Sequence, residues 1–170
     1  ILEKTKHAAF RLNRRNHYFG HWLRNGSQYP DVQLRLFRRG TANFPNRHLH
    51  EKLVVDGSIG KLQNDMLHFP YLNISQFLSK CDFYSGIEAE YLRDSGVKVN
   101  SLNTLRFLVL KPFLRFIRRY FMKGGFRDGL PGLFCAIFDA LNFVVRYFKL
   151  WELTRTGPES GKQQSSELGR

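Results

Sequence analysis

Near Asn73 the spacing of apolar residues changes period, and that change limits what the chain can fold into. Upstream, apolar residues come in short runs broken by turn signals at Gly20, Asn25-Gly26, Tyr29-Pro30-Asp31 and Asp56-Gly57. Val32 to Arg38 alternates, which predicts a strand with Val32, Leu34 and Leu36 on one face. Glu51 to Val55 reads as another short strand, and Ser58 to Phe69 leads into Pro70. Downstream, Ile74, Phe77, Leu78, Cys81, Tyr84 and Ile87 recur every three or four residues. With Asn73 as cap and Gly96 as stop, they predict a helix to about Asp94.

A second helix is expected from Leu102 to Met122, with Pro112 either kinking it or starting a new segment. Gly124-Gly125 and Asp128-Gly129-Leu130-Pro131-Gly132 read as turns before a third helix, Leu133 to about Leu153. The expected fold is therefore α+β: short, mostly antiparallel strands over 1–72, three helices over 73–156, and a disordered tail over 157–170 rich in Gly, Ser, Gln and Glu.

Twenty-seven basic against fourteen acidic side chains give a formal charge of +13, so polyanionic partners are expected. Sixteen Phe and seven Tyr narrow the choice, because aromatics mixed with arginine in helices fit a membrane interface at least as well as nucleic acid. In the second helix Lys111, Arg115, Arg118 and Arg119 share one face, and Leu110, Phe113, Leu114, Phe116, Ile117 and Phe121 fill most of the rest. A spanning helix needs roughly twenty mostly apolar residues; the third stretch offers about fifteen, with Asp139 in the middle, and reads as packed or interfacial. Two readings stay open for this pair: a cover for the core with solvated arginines, or a pair lying on an anionic bilayer with its arginines at headgroup level.

Cys81 and Cys135 lack any metal or disulfide spacing and read as reduced, buried fillers. No charged-then-apolar leader is visible, so the expected setting is cytoplasmic. The first residue is Ile1 rather than Met, which is expected of a processed product or a fragment.

The residues with chemical potential lie in the strand half. Glu51 beside His50 is a candidate general base, which must sit within hydrogen-bond reach of the hydroxyl it deprotonates; a surface pair on an edge strand is the plainer alternative. Arg35, Arg38 and Arg39 have the guanidinium forks that match phosphate oxygens. Alternation puts Arg35 and Arg39 on one face and Arg38 on the other, and solvated edge arginines are again the alternative. His68, flanked by apolar residues, reads as a satisfied structural histidine, with contact to an acceptor as the other reading. Gly-rich phosphate loops, Gly-x-Ser-x-Gly elbows and metal-ligating carboxylate pairs are missing from the sequence.

Read in order, Asn16-His17-Tyr18-Phe19-Gly20-His21-Trp22, Tyr29-Pro30-Asp31, Gln33-Leu34-Arg35-Leu36-Phe37-Arg38-Arg39 and Leu49-His50-Glu51 resemble the second half of family 2 glycosyltransferases of the lipopolysaccharide-core type. Leu67-His68-Phe69-Pro70-Tyr71, the segment from Lys80 to Tyr84, and Gly125-Phe126-Arg127-Asp128-Gly129 with Gly132-Leu133 add looser matches over about residues 8 to 153. Arg127 stands where the pattern has a smaller or acidic residue. The resemblance implies the carboxy-terminal part of a GT-A α/β enzyme, an inverting transferase that takes a nucleotide sugar and a membrane glycolipid acceptor.

It further implies that Glu51 is the base and His50 orients it, and that Arg35, Arg38, Arg39 and His68 serve the donor phosphates or the acceptor. The donor-binding half, with a divalent metal (Mg or Mn) on an Asp-x-Asp-like motif, would lie outside this chain, which by itself would be incomplete and inactive. The enzyme would be peripheral on the inner face of the cytoplasmic membrane, held by Lys111, Arg115, Arg118 and Arg119, and would bind no nucleic acid. The runner-up is a non-catalytic basic module for anionic membrane or nucleic acid, whose signature would be strongly salt-dependent binding.

Overall fold

The structure is a computed structural model, and it describes residues 5–43 and 53–156. In chain order the strands are β1 (Ala9–Tyr18), β2 (His21–Trp22), β3 (Asp31–Phe37), β4 (Ala42–Asn43), β5 (Val54–Val55), β6 (Ile59–Lys61) and β7 (Met66–Tyr71). Helices α1 (Ile74–Asp94), α2 (Ser101–Leu105), α3 (Lys111–Ile117) and α4 (Gly129–Thr156) follow. π-helical turns at Arg106–Leu110 and Arg118–Met122 join α2 and α3 into one rod over 101–122. The strands-then-helices order is the expected α+β arrangement.

β1 is the spine of the sheet. One edge pairs antiparallel with β3 and, at its end, with β2. The other edge pairs with β6 and β7, and both run parallel, which departs from the mostly antiparallel expectation. The reason is topological. β3 ends with Phe37 beside Ala9, the β4–β5 ribbon turns the chain at that same end, and β6 enters with Ile59 also beside Ala9. From there only a parallel run is open to it.

β3 also breaks the predicted alternation. Phe10 faces Leu36 while Arg11 faces Leu34, so Arg35 is an extra, bulged residue. Residues directly across a ladder share a face; Leu36 therefore lies with Phe10, whereas Val32 and Leu34 lie with Asn13 and Arg11 on the other side. One inserted residue inverts the phase.

α1 begins and ends where its residues predict. Asn73 accepts a hydrogen bond from the Gln76 N–H at 2.8 Å, and the Gln76 side-chain oxygen accepts one from the Leu72 N–H. At the other end Gly96 takes a left-handed φ of 74° and donates to the Arg93 carbonyl, while Val97 donates to Leu92. The rod is interrupted rather than kinked. Pro112 has no N–H and its ring crowds the carbonyl four residues back. The turn ahead of it widens, so that the Lys111 N–H reaches the Arg106 carbonyl. α4 starts at Gly129, four residues before the expected Leu133, because Pro131 falls in the first turn, where a missing N–H costs no bond.

Phe77 of α1, 6 % exposed, ties the layers together. Its ring meets Tyr18 and Tyr71 from the sheet and Phe134 and Phe138 from α4, with centroids 4.6 to 6.5 Å apart. A second cluster of Ala89, Phe107, Tyr147 and Leu150 locks α1, the rod and α4. Of the two cysteines Cys135 is buried as expected, while Cys81 is only half-buried; both are free thiols. Burial pushes the Cys135 thiol up to about 12.

The rod is amphipathic, and its cationic side chains divide between neighbouring helices and solvent, with Arg118 exposed. Arg119 is half-buried and Arg115 exposed, and both reach Asp139 of α4 at 2.5 Å. Lys111 lies 3.6 Å from the centre of the Phe107 ring and is half-buried. Leu102, Leu105, Val109, Phe113 and Leu114 point outward, Leu102 with 75 % of its surface exposed. α4 carries its own outward stripe of Leu130, Ile137, Leu141, Phe148 and Trp151. The stretch Gly125–Arg155 is long and apolar enough to cross a membrane by length and composition, whereas the residue count predicted a packed or interfacial helix. In the fold one side of it packs on α1 and α3.

Candidate functional site

The sheet face that meets Phe77 continues beyond the helices as a row of polar side chains. Asp31 opens β3 directly across from Arg14, and His68 of β7 stands across from Asn16 on the opposite edge. Arg14 holds the Asp31 carboxylate at 2.6 and 2.8 Å, Asn16 donates to it at 2.9 Å, and Gln33 donates to its other oxygen at 2.6 Å. Burial alone would raise Asp31, but the hydrogen bonds from Asn16, Gln33 and Arg14 outweigh it and hold the carboxyl below its ordinary value. The Asn16 amide is buried, and its nitrogen also donates to the Gln28 carbonyl.

That arrangement fixes the tautomer of His68. Both partners of the Asn16 nitrogen accept only, so its Oδ1 must face His68 Nδ1, 2.8 Å away. Nδ1 therefore carries the proton and Nε2 keeps its lone pair. Burial lowers the His68 pKa, and the fields of Arg14, Lys80 and Arg35 add to the effect, with Asp31 opposing. The imidazole is thus held neutral, with a hydrogen-bond acceptor facing away from its amide anchor.

The other residues singled out in the sequence divide. Arg35, on its bulge, is exposed and contributes to the potential at His68. Arg38 turns back to the Thr5 carbonyl, and Arg39 lies exposed in the turn after β3. Arg35 and His68 are therefore brought into one neighbourhood, and Arg38 is not. His50 and Glu51 lie outside the described residues, as does the 157–170 tail. Arg14, Asn16 and Asp31 were missed. Tyr29-Pro30-Asp31 reads as a turn in sequence, and only the register with β1 shows that its aspartate anchors the polar row.

Two cavities lie where the sheet, α1, the rod and α4 converge. One of about 150 Å³ is lined by Tyr18, Tyr71 and Tyr84, by Cys81 and Cys135, and by the Arg119–Asp139 pair. The second, of about 200 Å³, is lined by Gly26, Ser27, Arg115, Arg118 and Arg119. The loop over it is fastened by Asp128. Its buried carboxylate accepts from the Arg24 and Asn25 backbone N–H groups and the Asn25 side chain at 2.8 to 3.2 Å. Gly132 completes this corner, since a Cβ there would stand 2.1 Å from the Gly125 carbonyl oxygen. Arg127, the residue out of pattern, is exposed and leans on Phe126. Among the described residues no three His, Cys, Asp or Glu side chains gather into a metal-binding group. The divalent metal implied by the resemblance finds no such group among them.

The likeness to known proteins is to a glycosyltransferase. Over 147 residues, 85 % of its length, the chain is 27 % identical to the lipopolysaccharide core biosynthesis glycosyltransferase LpsC of Rhizobium meliloti (strain 1021). The alignment takes in 53 % of that protein, so the chain spans about half the length of this curated relative. No family model matches the chain, and no solved structure matches it.

Proposed function

We propose that this chain forms the acceptor side of a sugar-transfer site in lipopolysaccharide synthesis, of the family 2, GT-A, inverting kind. A nucleotide sugar would be the donor and a membrane glycolipid the acceptor. The observation that carries this is the polar row at the open end of the sheet, in a chain alignable with a lipopolysaccharide core glycosyltransferase over most of its length. His68 Nε2 accepts a hydrogen bond from an acceptor sugar hydroxyl. Asn16 and Asp31 keep the imidazole in the tautomer that allows this. Arg35 adds positive potential for donor phosphate or an acidic acceptor sugar.

Glu51 takes the proton from the attacking hydroxyl, and His50 orients it. The proton passes from hydroxyl to carboxylate as the sugar carbon exchanges its bond to the nucleoside diphosphate for one to the acceptor oxygen. Docking is peripheral, on the cytoplasmic leaflet, through the outward apolar faces of the rod and α4. The formal charge of +13 draws the chain to anionic lipid.

Binding of truncated lipopolysaccharide glycolipids tests the acceptor site. His68→Ala should weaken it about tenfold, the value of one directed hydrogen bond. Equal binding by wild type and variant would remove His68 from the site. In a preparation that turns over nucleotide sugar, Glu51→Gln should lower turnover by about 10²–10⁴ with donor affinity kept. Wild-type turnover would exclude Glu51 as the base.

A further inference from the structure

We propose that Arg115, Arg118 and Arg119, beneath the Gly26-Ser27 turn, form a binding site for a phosphoryl or pyrophosphoryl group. These five residues line the cavity of about 200 Å³. Their spacing along the rod puts three guanidinium groups on one face, where like charges one turn apart repel. Among the described residues only one carboxylate pairs with them. Asp139 bonds Arg115 and Arg119, which leaves three positive charges against one negative, a local excess of two. Arg118 has no ion pair among the described residues. Arg119 itself is half-buried at the cavity wall, so its charge is only partly screened by water.

The lid over the arginines is built and held. Gly26 donates to the Lys123 carbonyl at 2.9 Å, at the end of the rod, and Asp128 secures Arg24 and Asn25 just before it. Ser27 sits in the left-handed region at φ 64°, a conformation a non-glycine residue keeps only where its surroundings impose it. A tetrahedral oxyanion is the ligand that this geometry fits. It offers several acceptor oxygens to guanidinium donors fixed on one helix face, and its charge offsets the excess of two. The reading does not depend on sugar transfer, because it rests on charges and donors that the polar row of the sheet does not use. A phosphorylated lipid and a soluble diphosphate share this chemistry.

Calorimetric titration of the whole chain with inorganic pyrophosphate, at constant ionic strength, tests the site. One saturable site is expected. Arg118→Ala should weaken it at least about tenfold, since a charge-assisted pair is lost, while leaving the thermal midpoint of the free protein unchanged. Arg93→Ala, an exposed arginine on α1, is the control and should change nothing. Flotation with vesicles of phosphatidylcholine containing phosphatidic acid distinguishes the sources. Loss of flotation in Arg118→Ala assigns the site to a lipid phosphate. Flotation indifferent to Arg118, with pyrophosphate binding dependent on it, assigns it to a soluble ligand. If neither responds to Arg118→Ala, or if Arg93→Ala costs as much, the cavity holds no phosphoryl group and the proposal falls.

Discussion

The two halves of this chain handle charge in opposite ways. In the sheet, acidic groups are each met by three side chains at once: Asp31 by Arg14, Asn16 and Gln33, and Asp65 by Arg15, Asn13 and Tyr29. In the helices, Asp139 is met by two arginines of a single rod, and the outer surface is left to Leu, Val and Phe. A ladder sets side chains from neighbouring strands directly opposite one another, so networks there close on themselves. A helix sorts its side chains by face, so Arg115 and Arg119 reach Asp139 together while apolar residues crowd much of the rest of the rod. The first half is organised to hold a polar ligand in place. The second has an exterior that suits contact with something apolar, together with one unbalanced charge cluster.

The sharpest way to break this comparison is to cut the halves apart. Phe77 joins them, touching both sheet tyrosines and both α4 phenylalanines. Phe77→Ala should destabilise the protein by about 4 kcal/mol, the upper range for a large core aromatic. Urea unfolding followed by both near-ultraviolet and far-ultraviolet circular dichroism checks it. If the halves depend on each other through this ring, both signals shift together. A loss under about 1 kcal/mol would show that they stand independently.

A smaller effect is expected at the Asp128 corner, which anchors the loop of the first half to the second. Asp128→Ala strands three N–H donors, one of them on a side chain that can turn to solvent, and should cost about 2 to 3 kcal/mol. The exposed Arg93–Asp94 pair provides the contrast, and Asp94→Ala should cost less than about 0.5 kcal/mol in the same chemical-denaturation assay. Equal costs would mean that Asp128 is as solvated as a surface carboxylate.

How much of this was legible depended on whether the determining contact was local. The ends of α1 were readable because Asn73, Gln76 and Gly96 act within a few residues of themselves. The start of α4 was misread because Pro131 signals a turn until it is seen to fall in a first helical turn. The faces of β3 could not be read, since the bulge at Arg35 exists only in its pairing with β1. Asp31 and Asn16 escaped notice for a similar reason: they meet each other across fifteen positions, and Asn16 meets Gln28 across twelve. Amphipathicity of the rod was visible, but not which side would face the protein. That was decided by Asp139 on another helix, 24 residues from Arg115.

The smallest expected effect separates the halves by pH. His68 titrates below its ordinary 6.5 in the folded protein because burial and neighbouring positive charge disfavour its proton. The unfolded chain therefore binds that proton first as pH falls. The stability this contributes is fully present above 6.5 and is lost as pH drops from there through the lowered value. Asp31, held below its ordinary 3.8, keeps its contribution above that pH and loses it only in stronger acid. The urea midpoint of the wild type should accordingly fall in two stages, the first between neutral and mildly acidic pH. In His68→Gln the first stage should shrink while the second is kept, because glutamine carries no titrating proton and leaves Asp31 with Arg14 and Gln33. An identical pH profile in wild type and His68→Gln would mean that the imidazole is not held neutral by the sheet, and the polar row would lose its acceptor nitrogen.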